Sequence, residues 1–450
     1  MDLPAIFPFI EDLDRLERYC KLPLHSGIGQ IAGHGDPNHP LTVAFSRARE
    51  AMGDSRPDPT EQPFAASFLI PATRNCLLFF RWPADCPLSR NFGHGLTVTG
   101  DSPHGPFRLK CPQFYVRVTS GAWEKPGWAI AAPINQPATV TYGDDRPVVM
   151  VTATINNFDF EYGNVADGPK KVLRVQASGR TVDFTWRKER VQLRRLVDAG
   201  IIPSAALVTF SFEAWPGATD DELTGFAHHV ASLCYYIVGQ HTGIPVLSFL
   251  DKDGRVVRRT IAASIQSKFR PGNILPCPHA VDGLPQLFSQ CFDEHVRMQA
   301  SDLWRRLPLL YAAVEDPPYL EQKYATLMMA VELLIRSSLV EGCHLTLAEA
   351  ESKTLPALIG AARGKLQWDV PKHYTEEERY RLVRNAVDHG NTLPHAPTQV
   401  RHDFDKWRLF LIRRILIRLG YSGKVASPQK GFAASSPIDE FSEEHNSFRP

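Results

Sequence analysis

Apolar and polar positions alternate in short runs over the first 280 or so residues and then switch to a helical spacing. Ala65–Ile70 and Leu77–Trp82 read as two apolar strands split at Pro71 and Asn75. Further strands are predicted at Leu96–Thr99, Phe114–Val118, Thr139–Tyr142, Val148–Phe160, Val172–Val175, Thr181–Trp186 and Ala206–Phe212. A basic helical stretch is expected over Arg187–Arg195, and a helix from about Asp220 to Gln240. Asp251-Lys252-Asp253-Gly254 is a hairpin-turn signal between Val246–Phe249 and Arg255–Val257.

Beyond residue 285 the period-two signal disappears. One helix is predicted over Gln286–Leu307, stopped by Pro308, and a second from Tyr319 to Val340. In the second, Leu320, Tyr324, Leu327, Met328, Val331, Leu334 and Ile335 recur at three- and four-residue spacing. A third helix is expected over Ala348–Ala361. A fourth opens at Thr375, with Glu378 completing a capping box, and ends at Gly390; a last one runs from Phe404 to Leu419. The chain therefore reads as α+β: a β-rich mixed N-terminal domain (1–285), an all-α helical bundle (286–425) and a disordered Ser/Pro/Glu-rich tail (426–450).

Composition narrows the function classes without choosing one. Fifty basic against 49 acidic side chains leave a net charge of +1, so an anionic partner must meet a local basic patch. The cysteines at 20, 76, 86, 111, 234, 277, 291 and 343 form no two-residue-spaced pair. They read as buried free thiols of a reducing compartment. Cys277 with His279 and Cys291 with His295 are four candidate zinc ligands in number, but their spacing matches no signature, and no metal or cofactor is expected. His228, His229, His241 and Asp251 likewise match no metal spacing, and Phe92-Gly93-His94-Gly95 lacks the frame of a phosphate loop. Met1-Asp2-Leu3-Pro4 lacks a secretory n-region. The uncharged run Leu223–Leu250 is broken by histidines and Gly243-Ile244-Pro245, so a cytoplasmic protein without a membrane span is expected.

The sharpest local feature is Arg384-Asn385-Ala386-Val387-Asp388-His389-Gly390. A guanidinium presents a planar fork of donors to phosphate oxygens. An imidazole can take the proton of a ribose 2′-OH at neutral pH, so the pair suits RNA cleavage without a metal. Arg384 and His389 lie about 140° apart around a helix, whereas Asn385 and His389 share a face. A pair splayed in this way is best completed by a second copy of the helix, which points to a homodimer. The structural alternative is an Arg384–Asp388 ion pair at i, i+4.

Three features in order are an apolar helix with Ala330-Val331-Glu332-Leu333-Leu334-Ile335-Arg336, the Arg384–Gly390 motif, and a helix closing Leu416-Ile417-Arg418-Leu419-Gly420. This layout resembles the HEPN domain (higher eukaryotes and prokaryotes nucleotide-binding), in particular the ApeA-like subgroup. The resemblance covers about residues 290–422 and extends more weakly over 205–285. It implies a dimeric endoribonuclease with an R-x4-H motif, directed at tRNA and serving anti-phage abortive infection. The motif positions fall on Arg384, Asn385 and His389, with Glu332 and Asp388 in supporting roles. Under this reading His389 is the general base and acid, Arg384 stabilises the phosphate and Asn385 orients. The basic residues Arg381, Arg401, Arg408, Arg413 and Arg414 are candidate RNA contacts, although a solvated helix face is the commoner use of such a cluster. Trp407 and Phe410 sit at core spacing. The alternative is a non-catalytic HEPN module that binds nucleotide or RNA, with sensing by the N-terminal domain. No phage-derived trigger is identifiable from these residues.

Overall fold

The computed structural model describes residues 24–31, 63–69, 77–82, 91–102, 105–118, 127–133, 137–143, 146–158, 172–186, 206–261, 280–317, 319–371, 397–426 and 435–437. These form a 13-stranded antiparallel sheet and a set of helices, an α+β arrangement.

Among the described residues the first six strands are β1 (Leu24–Ile31), β2 (Pro63–Leu69), β3 (Leu77–Trp82), β4 (Asn91–Ser102), β5 (Gly105–Val118) and β6 (Gly127–Pro133). Their pairings run β1–β2, β2–β3, β3–β6, β6–β5, β5–β4 and back from β4 to β1. The six strands therefore close on themselves, an arrangement that removes sheet edges. The 14-residue strand β5 holds the two parts of the sheet together. One of its edges pairs with β4 from Gly105 to Val116. The other pairs with β6 through Phe114–Val118 and with β7 (Ala138–Tyr142) through Phe107–Lys110.

From β7 the sheet continues through β13 (Val256–Ile261), β12 (Gly243–Leu250), β8 (Met150–Asn156), β11 (Ala206–Glu213), β10 (Arg180–Trp186) and β9 (Val172–Ala177). Alternation decides its faces. Val151, Ala153, Ile155, Phe210, Phe212, Val182 and Phe184 are buried on one side, while Thr152, Thr154, Ser211 and Asp183 remain partly solvated on the other. Gly254 (φ +73°) turns the β12–β13 hairpin where the sequence placed it, and Asp251 Oδ1 accepts from the Asp253 and Arg255 amides at 3.0 and 2.8 Å.

The buried face is covered by α1 (Asp220–Leu233) and α3 (Ala280–Ala300), with the short turn α2 (Tyr235–Val238) between them. Thr219 and Glu222 form a capping box that starts α1. Phe184 meets Phe288 at 5.5 Å between ring centroids, and Phe226 meets Phe212 at 4.8 Å and Phe292 at 5.2 Å. The remaining helices are α4 (Leu307–Ala313), α5 (Leu320–Cys343), α6 (Leu347–Glu351), α7 (Leu355–Gly364) and α8 (Pro397–Arg418), with α4, α6, α7 and α8 packed on α5. One apolar cluster runs from Val151 in β8 to Tyr421 beyond α8, crossing residue 285 without a break.

Several boundaries differ from the sequence reading. Pro308 does not stop a helix; it stands in the first turn of α4, where its missing N–H leaves no helical bond unmade, and α3 has already ended at Ala300. Ala348–Ala361 is two helices, because Thr346 caps α6 and Pro356 opens α7. Helix α8 begins seven residues ahead of Phe404. The strand β1 was not anticipated. Within the segment expected to be a disordered tail, Ser435–Pro437 (β15) pairs with Lys424–Ala426 (β14). The expected helices over 187–195 and 375–390 lie outside the described residues. None of the helices described is long and apolar enough to cross a membrane.

Candidate functional site

Arg381, Arg384, Asn385, Asp388 and His389 fall in 372–396 and lie outside the described residues. What is described is the frame on either side of them in sequence. Trp368 and Val370 follow α7, and α8 starts at Pro397 and packs along α5. Arg414 lies over the Trp368 ring at 5.0 Å and over Phe410 at 5.8 Å, fastening the chain after α7 to α8.

Glu332 sits on α5 among Val331, Leu334 and Ile335 and is only 6% exposed. It is therefore not the helix-surface glutamate its sequence position allowed. Its Oε2 lies 3.4 Å from Arg336 Nη2, one turn on, and that guanidinium also reaches the Lys353 carbonyl at 3.5 Å. A carboxylate is retained in such surroundings only with a cation or donors beside it.

The candidate RNA-contacting arginines of α8 have separate environments. Arg401 is exposed, pairs with Asp405 at 3.0 Å and lies 5.4 Å from the Phe404 ring. Arg408 is turned inward: its Nη1 donates to Glu315 Oε1 at 2.6 Å, and Lys323 Nζ donates to Glu315 Oε2 at 2.5 Å. Burial pushes the Glu315 carboxyl up, yet Arg408 and Lys323 more than offset this and hold it below the usual carboxylate range. Arg413 and Arg414 are half-buried, and burial together with the neighbouring Arg413 charge lowers Arg414 to about 10. Arg408 and Arg414 thus serve the interior of the bundle, and Arg401 is the exposed member of the set. Sequence reasoning missed the inward ionisable residues of α8. Asp403 and Lys406 are buried, and His402 is pushed down by burial and then by Lys406. Their signal was present as polar residues flanked by Phe404 and Trp407, a core-facing position.

A second polar centre lies between α1 and α3. His295, fully buried, places Nε2 at 2.8 Å from Ser232 Oγ and 3.0 Å from Gln299 Nε2. Gln299 Nε2 also donates to Ser232 Oγ at 2.7 Å, and the His229 ring stands edge-on at 6.3 Å. Burial lowers His295 to about 3, so the ring is neutral at physiological pH. The contact resembles a nucleophile–base pair. However, both side chains are buried and His295 Nδ1 has no hydrogen-bond partner, so no carboxylate orients the ring. The network joins two helices and presents no reactive face.

Cys291, one of the sequence-level zinc candidates, is a buried thiol pushed by burial to about 12 and so stays protonated. Its companions Cys277 and His279 lie outside the described residues. Among the described residues no group of three or more His, Cys, Asp or Glu side chains is placed to hold a metal ion.

Comparison with known proteins returns no matching family model, no matching curated protein and no matching solved structure.

Proposed function

We propose that the chain is a metal-independent endoribonuclease of the HEPN type, of the ApeA-like kind, acting in the cytoplasm as a homodimeric effector of anti-phage defence. The observation that supports this reading is the Arg384-Asn385-(three residues)-His389 motif set in sequence between the long apolar helix α5 and the closing helix α8. In this reaction His389 takes the proton of a ribose 2′-OH, and the 2′-oxygen attacks the adjacent phosphorus. The bond from phosphorus to the 5′-oxygen breaks, the leaving oxygen takes a proton from the imidazolium, and a 2′,3′-cyclic phosphate remains. Arg384 donates to the non-bridging oxygens as charge builds there. Asn385, four residues before His389 in sequence, has the orienting role in this reading, and Asp388 and the buried Glu332 have supporting ones. The substrate class is RNA, with tRNA as the first candidate.

The test is incubation of the purified protein with bulk tRNA in EDTA, followed by analysis of the new 3′ ends. Cyclic-phosphate ends from the wild type, lost in Arg384→Ala and His389→Ala, are expected. No cleavage, or equal cleavage by both variants, sinks the proposal. Retained RNA affinity without strand scission selects instead the non-catalytic RNA-binding module.

A further inference from the structure

At the end of the sheet where β9 turns into β10, a cleft of about 560 Å³, within the range of small-molecule sites, runs from the outer face of β9, β10 and β11 to Trp215, which packs edge-on against Phe226 of α1 at 5.7 Å. Strand register lays out its floor. Arg174, Asp183 and Ser211 stand opposite one another on β9, β10 and β11, and Thr181 and Glu213 stand two residues along on the same faces. Neighbours in such a row are about 5 Å apart and residues two along a strand about 7 Å. At the end of the cleft Arg180 lays its guanidinium on the Trp215 ring at 3.8 Å, directly after the Ser178-Gly179 turn.

The charges in this cleft are of two kinds. Arg174 and Asp183 satisfy each other, with Arg174 Nε and Nη2 donating at 2.8 and 3.1 Å. Arg180 and Glu213 both line the cleft, yet among the described residues neither has an ion-pair partner and they do not pair with each other. The Ser211 hydroxyl is also without a hydrogen-bond partner there, and Trp215 and Met150 supply an apolar wall. A simple anion entering the cleft meets Glu213, and a simple cation meets Arg180. A neutral molecule with both charges fits both walls.

We propose that this cleft binds a small zwitterion with an apolar side chain, a free amino acid or a short peptide. Its carboxylate takes Arg180, its ammonium takes Glu213, and its side chain lies against Trp215 and Met150. Stacking on the indole pre-orients the Arg180 fork, which lowers the entropy lost on binding.

The test is calorimetric titration of the full chain with leucine, phenylalanine and the dipeptide Leu-Leu, alongside N-acetyl-leucine and leucinamide. Binding of a zwitterion is expected, weakened about 10- to 100-fold when either terminal charge is blocked, the range for a hydrogen bond to a charged group. Arg180→Gln should bind leucine and leucinamide alike, and Glu213→Gln should bind leucine and N-acetyl-leucine alike. Both variants should melt with the wild type. Tighter binding of Leu-Leu than of leucine assigns the site to peptides, the reverse to free amino acids. The proposal is overturned if no zwitterion binds, or if the blocked forms bind equally well to the wild type.

Discussion

Ser232 Oγ stands 2.8 Å from His295 Nε2, and this contact ties α1, which lies on the sheet, to α3, which leads into the helical bundle. Gln299 Nε2 lies within hydrogen-bond distance of both atoms, and burial of the ring favours its neutral form. The fold at this junction thus depends on an imidazole that stays uncharged.

A pH dependence follows. Burial holds the folded-state value of His295 at about 3, against roughly 6.5 in the unfolded chain. Between these values the unfolded state binds the extra proton, so stability is complete above about pH 6.5 and falls as pH decreases toward 3. One such group contributes a slope of about 1.4 kcal/mol per pH unit within that window. Urea denaturation at pH 7.0 and 5.5 should show wild type losing more stability than His295→Leu by up to that slope. Identical pH slopes in the two proteins would remove the histidine from the account.

Glu315 is the keystone of a buried ion trio drawn from the end of α4, α5 and α8. Glu315→Gln leaves Lys323 and Arg408, each under 15% exposed, facing a neutral amide. A loss of about 3–5 kcal/mol is expected, the range for removing one partner of a buried pair. Acidification should act in the same direction, since a carboxyl held below its ordinary range stabilises the fold above that range and is lost as pH falls through it. Chemical denaturation at pH 7 checks the first statement. A change under 1 kcal/mol would show that the trio is solvated in solution.

Arg401 and Arg408 should separate cleanly in one pair of measurements. Arg401 is about half exposed and its pair with Asp405 is of the surface kind, worth a few tenths of a kcal/mol. Arg401→Ala should therefore leave the melting temperature within a degree or two and, if α8 meets RNA, reduce the salt slope of binding by about one. Arg408→Ala should lower the melting temperature by more, because it opens a cavity and leaves the buried Glu315 with Lys323 as its remaining described ion-pair partner. If Arg408→Ala melts with the wild type and weakens RNA binding alone, its inward placement is wrong.

The parts of the fold that were legible in the sequence are those whose signal is local. Alternation along Met150–Asn156 and Arg180–Trp186, the Asp251–Gly254 turn and the three- and four-residue spacing of α5 each depend on a few adjacent residues. The strand β1 escaped because Gly27 and Gly29 interrupt any apolar alternation, and its place is set by partners at 63–69 and 98–99. Pro308 reads as a stop in the sequence because a proline at a helix start and one at a helix end look alike without the cap, and the same ambiguity hides the start of α7 at Pro356. The inward turn of Arg408 was hidden for another reason. Its partner Glu315 is 93 residues away, and nothing near Arg408 distinguishes it from the exposed Arg401. The Arg384–His389 motif suggests a chemistry from its residue types alone, whereas the completion we propose for it by a second copy is a matter of assembly, which no local pattern encodes.

That assembly can be tested by complementation. If each reaction centre combines Arg384 of one copy with His389 of the other, Arg384→Ala and His389→Ala proteins are each inactive alone. Mixing them after dissociation forms heterodimers in which one of the two composite centres has both residues. With random pairing half the dimers are mixed, so roughly a quarter of wild-type cleavage should return. The buried Glu332 gives the control: Glu332→Gln, which keeps the side-chain shape beside Arg336, should lower activity in every mixture by the same factor. Strand scission of tRNA is the readout, with size-exclusion chromatography to confirm exchange. Full exchange with no recovered cleavage would place Arg384 and His389 in the same copy's centre.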